Sequence, residues 1–167
     1  MFRIPIILLA TMSTMYLGTA FGQGLITQKA ISYEMAQTIV QGTIQECRTR
    51  KFVVSVTVLD GSGLVKAFAR DDGINGPHTI DLSKRKAYTA LTLASRFPTS
   101  GAAAKAWNST LGSPMPNIEG TAGVAGGVPI MLNGVAIGAV GVSGAVGGDN
   151  DEACANAGIA KVASLLK

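Results

Sequence analysis

Apolar residues recur at a helical spacing from Ile31 through Met35, Ile39, Val40 and Ile44 to Cys47, with Ser32 placed to cap the start. Arg48, Arg50 and Lys51 close this helix with charges that complement its C-terminal dipole. The pattern then changes. Residues 52–59 are an almost unbroken β-branched and apolar run, which predicts a central strand buried on both faces. Asp60-Gly-Ser-Gly63 is a tight turn, and residues 64–70 return as a second strand. The polar stretch 71–77, rich in Gly, Asp and Pro, breaks regular structure. Thr79 or Asp81 is expected to cap an Ala- and Leu-rich helix that runs to about Arg96, where Pro98 stops it. Residues 100–107 read as a short helix and 108–127 as a long irregular connection. Two apolar runs, 128–132 and 135–142, flank Asn133-Gly134, the dipeptide of a type I′ hairpin turn. Gly138, Gly141 and Gly144 leave one face of the returning strand bare, so a helix, a second subunit or a flat ligand should approach it closely. A small-residue helix from Asn150 ends the chain.

The order α-β-β-α-loop-β-β-α, with strands paired as hairpins, predicts an α+β fold with a central, mainly antiparallel sheet and flanking helices. The first 22 residues stand apart from it. Arg3 precedes a mostly apolar run over 4–17, and Ala20-Phe21-Gly22 fits a small-x-small cleavage site. Residues 1–22 therefore read as a secretory signal peptide, and 23–167 as one domain that is periplasmic or secreted and not stably inserted in a membrane. A formal charge of +4 is scattered, apart from Arg48-Thr-Arg-Lys51 and Lys84-Arg-Lys86, and aromatics do not interleave with it, so a nucleic-acid partner is not expected. Cys47 and Cys154 are the only cysteines. They are either two small buried hydrophobes on helix stripes or, in an oxidising compartment, a disulfide.

Several catalytic templates are missing: no nucleophile elbow, no phosphate loop and no strand-linked dinucleotide fingerprint occur. The densest polar group lies between Arg70 and Lys86 and contains His78, the single histidine. Arg70 ends a strand, His78 sits by the Gly-Pro loop, and Asp81 and Lys84 open the next helix three residues apart. These consecutive elements predict one ligand-binding pocket bordered by Arg70, His78, Asp81, Lys84 and, from the long loop, Glu119. Asp81, His78 and Glu119 are the candidate proton carriers, while Arg70 and Lys84 are anchors for a carboxylate. Trp107 reads as an anchor of the long loop and Met115 as a packing residue.

Asp81-Leu-Ser-Lys-Arg-Lys-Ala-Tyr-Thr-Ala90, Gly126-Gly-Val-Pro-Ile130, Ile137-Gly-Ala-Val-Gly-Val-Ser-Gly144 and Asp151-Glu followed by Ala157-Gly158 together resemble the GlcG/HbpS-like family. Ser55-Val-Thr-Val-Leu-Asp-Gly-Ser-Gly63 and Phe68-Ala-Arg-Asp-Asp-Gly73 belong to the same resemblance, which spans about residues 30–165. It implies an antiparallel α/β domain that assembles into homo-oligomers and binds haem or another tetrapyrrole, and its motif lands on Asp81, Lys84 and Lys86. A chain 47% hydrophobic but only 5% aromatic agrees with burial between subunits. The expected function is therefore an exported, oligomeric, non-catalytic tetrapyrrole-binding protein, with His78 on the haem iron and Arg70 or Lys84 on the propionates. One alternative is an isomerase or lyase acting on a small carboxylate. Another is an oligomeric accessory or sensing protein without a small ligand.

Overall fold

The computed structural model describes residues 24–97, apart from Asn75, and 118–166. The signal-peptide segment, the helix expected over 100–107, Trp107 and Met115 lie outside the described residues. Helix α1 (Tyr33–Thr49) starts where its pattern predicts, with the Ser32 hydroxyl accepting the Met35 N–H at 3.1 Å. Strands β1 (Ser55–Asp60) and β2 (Val65–Arg70) form the first hairpin, and β3 (Gly127–Leu132) and β4 (Val135–Ser143) the second. Between them runs α2 (His78–Leu93), and α3 (Gly148–Ala160) closes the domain with a 3-10 turn over Ala163–Leu165. The four strands form one antiparallel sheet in the order β2-β1-β4-β3. The class is α+β, as the pattern implies.

The two faces of the sheet are built differently. Val56 and Val58 of β1 and Val140 and Val142 of β4 pack with Ile39, Val40, Cys47 and Ala155, beneath α1 and α3. The alternate residues face α2. Thr57, opposite Gly141, hydrogen-bonds Ser83 at 2.7 Å, and Leu59, opposite Ala139, packs on Ala87 and Ala90. Small residues let α2 lie almost on the strands. A Cβ at Gly141 would stand 1.9 Å from the Ser83 carbonyl oxygen and 2.6 Å from the Ala87 nitrogen. At Gly138 it would meet the Leu59 oxygen at 2.5 Å, and at Gly144 the Val53 oxygen at 2.5 Å. The three glycines do not leave one face of β4 bare, as the sequence pattern suggests: residues three apart in a strand point to opposite faces, so Gly141 meets α2, Gly138 meets Ile31 and Ile130 on the other face, and Gly144 lies beyond the strand, each in close packing within the domain. The turn that feeds β4 is also as its dipeptide requires, with φ of 49° at Asn133 and 80° at Gly134.

Several boundaries differ from the sequence expectation, β1 among them, which starts at Ser55 and not at residue 52, and the open question of the cysteines is decided. Neither Thr79 nor Asp81 caps α2: the helix begins at His78 behind Pro77, with no side-chain cap. Pro77 has its φ at −60°, already helical, so it can lead the first turn. The Thr79 hydroxyl is instead recruited by tertiary structure, donating to the Gly76 carbonyl at 2.7 Å and lying 2.9 Å from the Ser55 hydroxyl. Helix α2 ends at Leu93 rather than at Arg96, and α3 starts at Gly148 rather than at Asn150. Cys47 and Cys154 are not free small hydrophobes. They are fully buried and disulfide-bonded, with Cα atoms 5.4 Å apart, and they stitch the end of α1 to the middle of α3.

Candidate functional site

Helix α2 divides the polar cluster between two clefts. Successive residues turn by about 100° around a helix, so positions four apart share a stripe and positions three apart fall on the opposite flank of it. His78, Leu82 and Lys86 follow one stripe and line a cleft of about 700 Å³. Asp81, Lys84, Arg85 and Tyr88 follow another, about a third of a turn away, and line a separate cleft of about 650 Å³ with Glu119 and Gly120. Arg70, exposed at the end of β2, lines neither. The five residues expected around one pocket are therefore split: Asp81, Lys84 and Glu119 come together, His78 belongs to the other cleft, and Arg70 stands outside both. Sequence adjacency brings the ends of these elements near each other but does not decide which flank of α2 a side chain occupies.

The cleft of Asp81 and Lys84 is a surface groove. Asp81 and Arg85 approach at 3.8 Å with side chains 72% and 45% exposed, a pair screened by water and worth little. Arg85 also donates to the Thr121 carbonyl at 2.9 Å, while the Thr89 hydroxyl receives the Ala122 N–H at 2.8 Å, so segment 118–125 is fastened along α2.

The cleft of His78 is built more deliberately. Its walls come from the start of α2, the end of β4 at residues 143–145, the start of α3 and segment 123–125. Val53, Ile74, Leu82 and Val124 give it an apolar side, His78, Thr79, Lys86, Ser143 and Asp151 a polar one, and Gly73, Gly76, Gly123, Gly144 and Gly148 keep its surface low. Val53 and Val124 remain 41% and 48% exposed at its mouth. His78 lies exposed at the helix start. Deeper in, Lys86 Nζ donates to Asp151 Oδ2 at 2.7 Å, with the two side chains only 5% and 3% exposed. The other carboxylate oxygen of Asp151 accepts the Ala145 N–H at 3.1 Å. Burial pushes the Asp151 carboxyl above its usual range, and the Lys86 ammonium and the Ala145 N–H pull it back in part. A glycine gap makes this pair possible. At Gly126, φ is 119°, and a Cβ would stand 2.8 Å from both Lys86 Nζ and the Asp151 Cβ. Among the described residues no group of three or more His, Cys, Asp or Glu side chains could hold a bare metal ion.

From sequence, Lys86 belongs to the polar cluster and Asp151 to the family motif, but neither is marked as a site residue. The two are 65 residues apart, and the signal that points to them is the Gly126-Gly127 pair, whose missing side chains leave room for Lys86.

The family model described as "Haem degrading protein HbpS-like" matches residues 31–160. The chain belongs to the HbpS-like family. Among solved structures of HbpS-like and related folds, a double mutant of HbpS from Streptomyces reticuli is 31% identical, with a TM-score of 0.72 covering 86% of this chain and 94% of that one. The protein ORFY of Klebsiella pneumoniae is 22% identical, with a TM-score of 0.66 over 84% of this chain and 97% of that one. PduOC, solved as a complex with haem, is 18% identical with a TM-score of 0.67, covering 80% and 95%, which is a likeness of fold. No curated protein matches the chain significantly.

Proposed function

We propose that this protein is an exported, homo-oligomeric module that binds haem or a related tetrapyrrole, without catalysis of its own, in the cleft at the start of α2. The observation that carries this reading is that the chain's single histidine stands on the wall of a glycine-rich cleft of about 700 Å³ with one apolar and one polar side. That volume lies in the range of sites for sizeable organic ligands, roughly 300–1,000 Å³. The residues fit the group. A flat macrocycle needs apolar walls without protruding side chains, which Val53, Leu82, Val124 and the glycines supply. A haem iron takes an imidazole as axial ligand, and His78 is the residue that would hold it. Bound haem would bring the redox-active iron; the protein's part is to hold the ring, shield it and set the imidazole. The HbpS-like membership and the haem complex of PduOC support the choice of ligand.

Export is supported by the leader-like pattern of residues 1–22 and by the Cys47–Cys154 disulfide, a bond that persists in oxidising compartments. Self-association is supported by Leu64, just before β2, and by Val65 and Phe68 within it, which stay 67%, 50% and 43% exposed. The decisive experiment is titration of the mature chain with haemin, followed by absorbance. Wild type is expected to shift the Soret band, and His78→Ala to lose that shift while keeping its circular dichroism. An identical titration curve for the variant refutes His78 as the ligand, and no Soret change with wild type refutes the reading altogether.

A further inference from the structure

Lys86 and Asp151 form a buried ion pair that opens onto the His78 cleft, and the fold alone does not account for it. Taking both charges out of water costs several kcal/mol per ion, and the attraction between them recovers this only when the remaining donors and acceptors are also satisfied. The Asp151 side is satisfied: one oxygen accepts from Lys86 and the other from the Ala145 N–H. The Lys86 side is not. An ammonium has three donors, and among the described residues the recorded acceptor for Nζ is Asp151 Oδ2. The Lys86 ammonium is thus 95% withdrawn from solvent, fixed in place by Asp151, lining a cleft, and left with donor capacity.

The position of Lys86 gives this capacity a use. It lies eight residues beyond His78 on the same stripe of α2, about 12 Å further along the helix at 1.5 Å per residue. An elongated or discoid ligand that meets His78 at the mouth reaches Lys86 with its far edge. The carboxylate anchors expected from sequence, Arg70 and Lys84, are both outside this cleft, so among the described residues Lys86 is the lysine or arginine that lines it.

We propose that the Lys86 end of the cleft is a subsite for a carboxylate group of the ligand, with Lys86 as the contacting residue and Asp151 as the residue that positions it. The identity of the ligand as a tetrapyrrole rests on the reading above, in which case the group is a propionate. The carboxylate chemistry does not rest on that reading, since a free small carboxylic acid would present the same group.

Haemin and haemin dimethyl ester share the macrocycle and iron and differ in their carboxylates, so their affinity ratio reads this subsite alone. Wild type is expected to prefer haemin by about tenfold or more, the size of one charge-assisted hydrogen bond. In the double variant Lys86→Met, Asp151→Leu, which removes both charges and keeps the volume, the ratio should fall to about one. In His78→Ala both affinities should drop together and the ratio should persist. A pair that serves only to pack the domain would weaken both ligands alike, and an unchanged ratio in the double variant, or a ratio of one in wild type, overturns the proposal. If the double variant does not fold, Lys86→Gln supplies the same comparison. The two sources of carboxylate are separated by titrating succinate into the ligand-free protein and following the Ala145 amide resonance. A response to succinate that depends on Lys86, in a protein that ignores haemin, upholds the subsite and refutes the tetrapyrrole reading. No response to either probe overturns both.

Discussion

Removing the Cys47–Cys154 bond tests how the domain is held together. The perturbation is the pair of substitutions Cys47→Ala and Cys154→Ala, or reduction of the wild type. The bond spans 107 residues, and in the chain-entropy model a loop of that length restricts the unfolded chain by about 5 kcal/mol. The packing change is small by comparison. Both sulfurs are fully buried among Ile39, Val40 and Ala155, and reduced thiols fill nearly the same space as small hydrophobes. The loss should therefore approach the entropic figure, about 4–5 kcal/mol, and lower the melting temperature by roughly 10–20 °C for a domain of this size. Urea unfolding, monitored by far-ultraviolet circular dichroism in the presence and absence of reductant, measures it. The m-value should rise as the freed chain expands when unfolded. A loss below about 1 kcal/mol, with m unchanged, would refute the argument. It would mean that α1 and α3 are held by their own packing.

Gly141→Ala places a methyl group 1.9 Å from the Ser83 carbonyl oxygen and must lift α2 from β4, so a loss of about 3 kcal/mol or more is expected in urea unfolding; near-neutral stability would show that α2 sits further from the sheet. Asp71 takes two hydrogen bonds from Arg48 Nε and a further one from its terminal nitrogen, which hold its carboxyl below the usual range. A carboxyl lowered by folding stabilises above its unfolded pKa of about 3.9 and loses that contribution as pH falls through and below it. Arg48→Met should therefore flatten the acid arm of the stability profile between about pH 4 and pH 2, and an unchanged arm would remove Asp71 from the account. Asp151 has the opposite sign. Its raised carboxyl withdraws stability as pH climbs from the unfolded value through the folded one, so Asp151→Asn should remove that decline from a stability–pH curve.

Much of the fold is legible where one local pattern decides it. Ser32 caps α1 and Asn133-Gly134 turns the second hairpin, because each of these depends on neighbours within a few residues. The start of α2 is less legible. Pro77 and Thr79 both suit a helix start, and only the Ser55 hydroxyl on a distant strand draws Thr79 into the interior. The site is less legible still. Lys86 and Asp151 meet across 65 residues and Cys47 and Cys154 across 107, and no periodicity records either encounter. His78 was visible as the one histidine, but its separation from Asp81 and Lys84 depends on which way α2 is rotated against the sheet. That rotation is set by Ala87, Ala90 and the close approach of α2 to Gly141.

The strand order has a consequence for how the chain reaches this structure. Each hairpin pairs neighbours in sequence and can close early, within the first microseconds typical of such turns. The seam between β1 and β4, where Thr57 faces Gly141, joins segments on either side of α2 and the long connection. Closing it carries a large loop entropy before any of its contacts form. Folding should therefore be paced by the meeting of two preformed halves. During that wait the inner edges of both hairpins lie unpaired, and a hairpin from one copy can find the complementary edge of another. Dilute conditions during refolding would favour closure within one chain, and crowded ones an exchange of halves between chains.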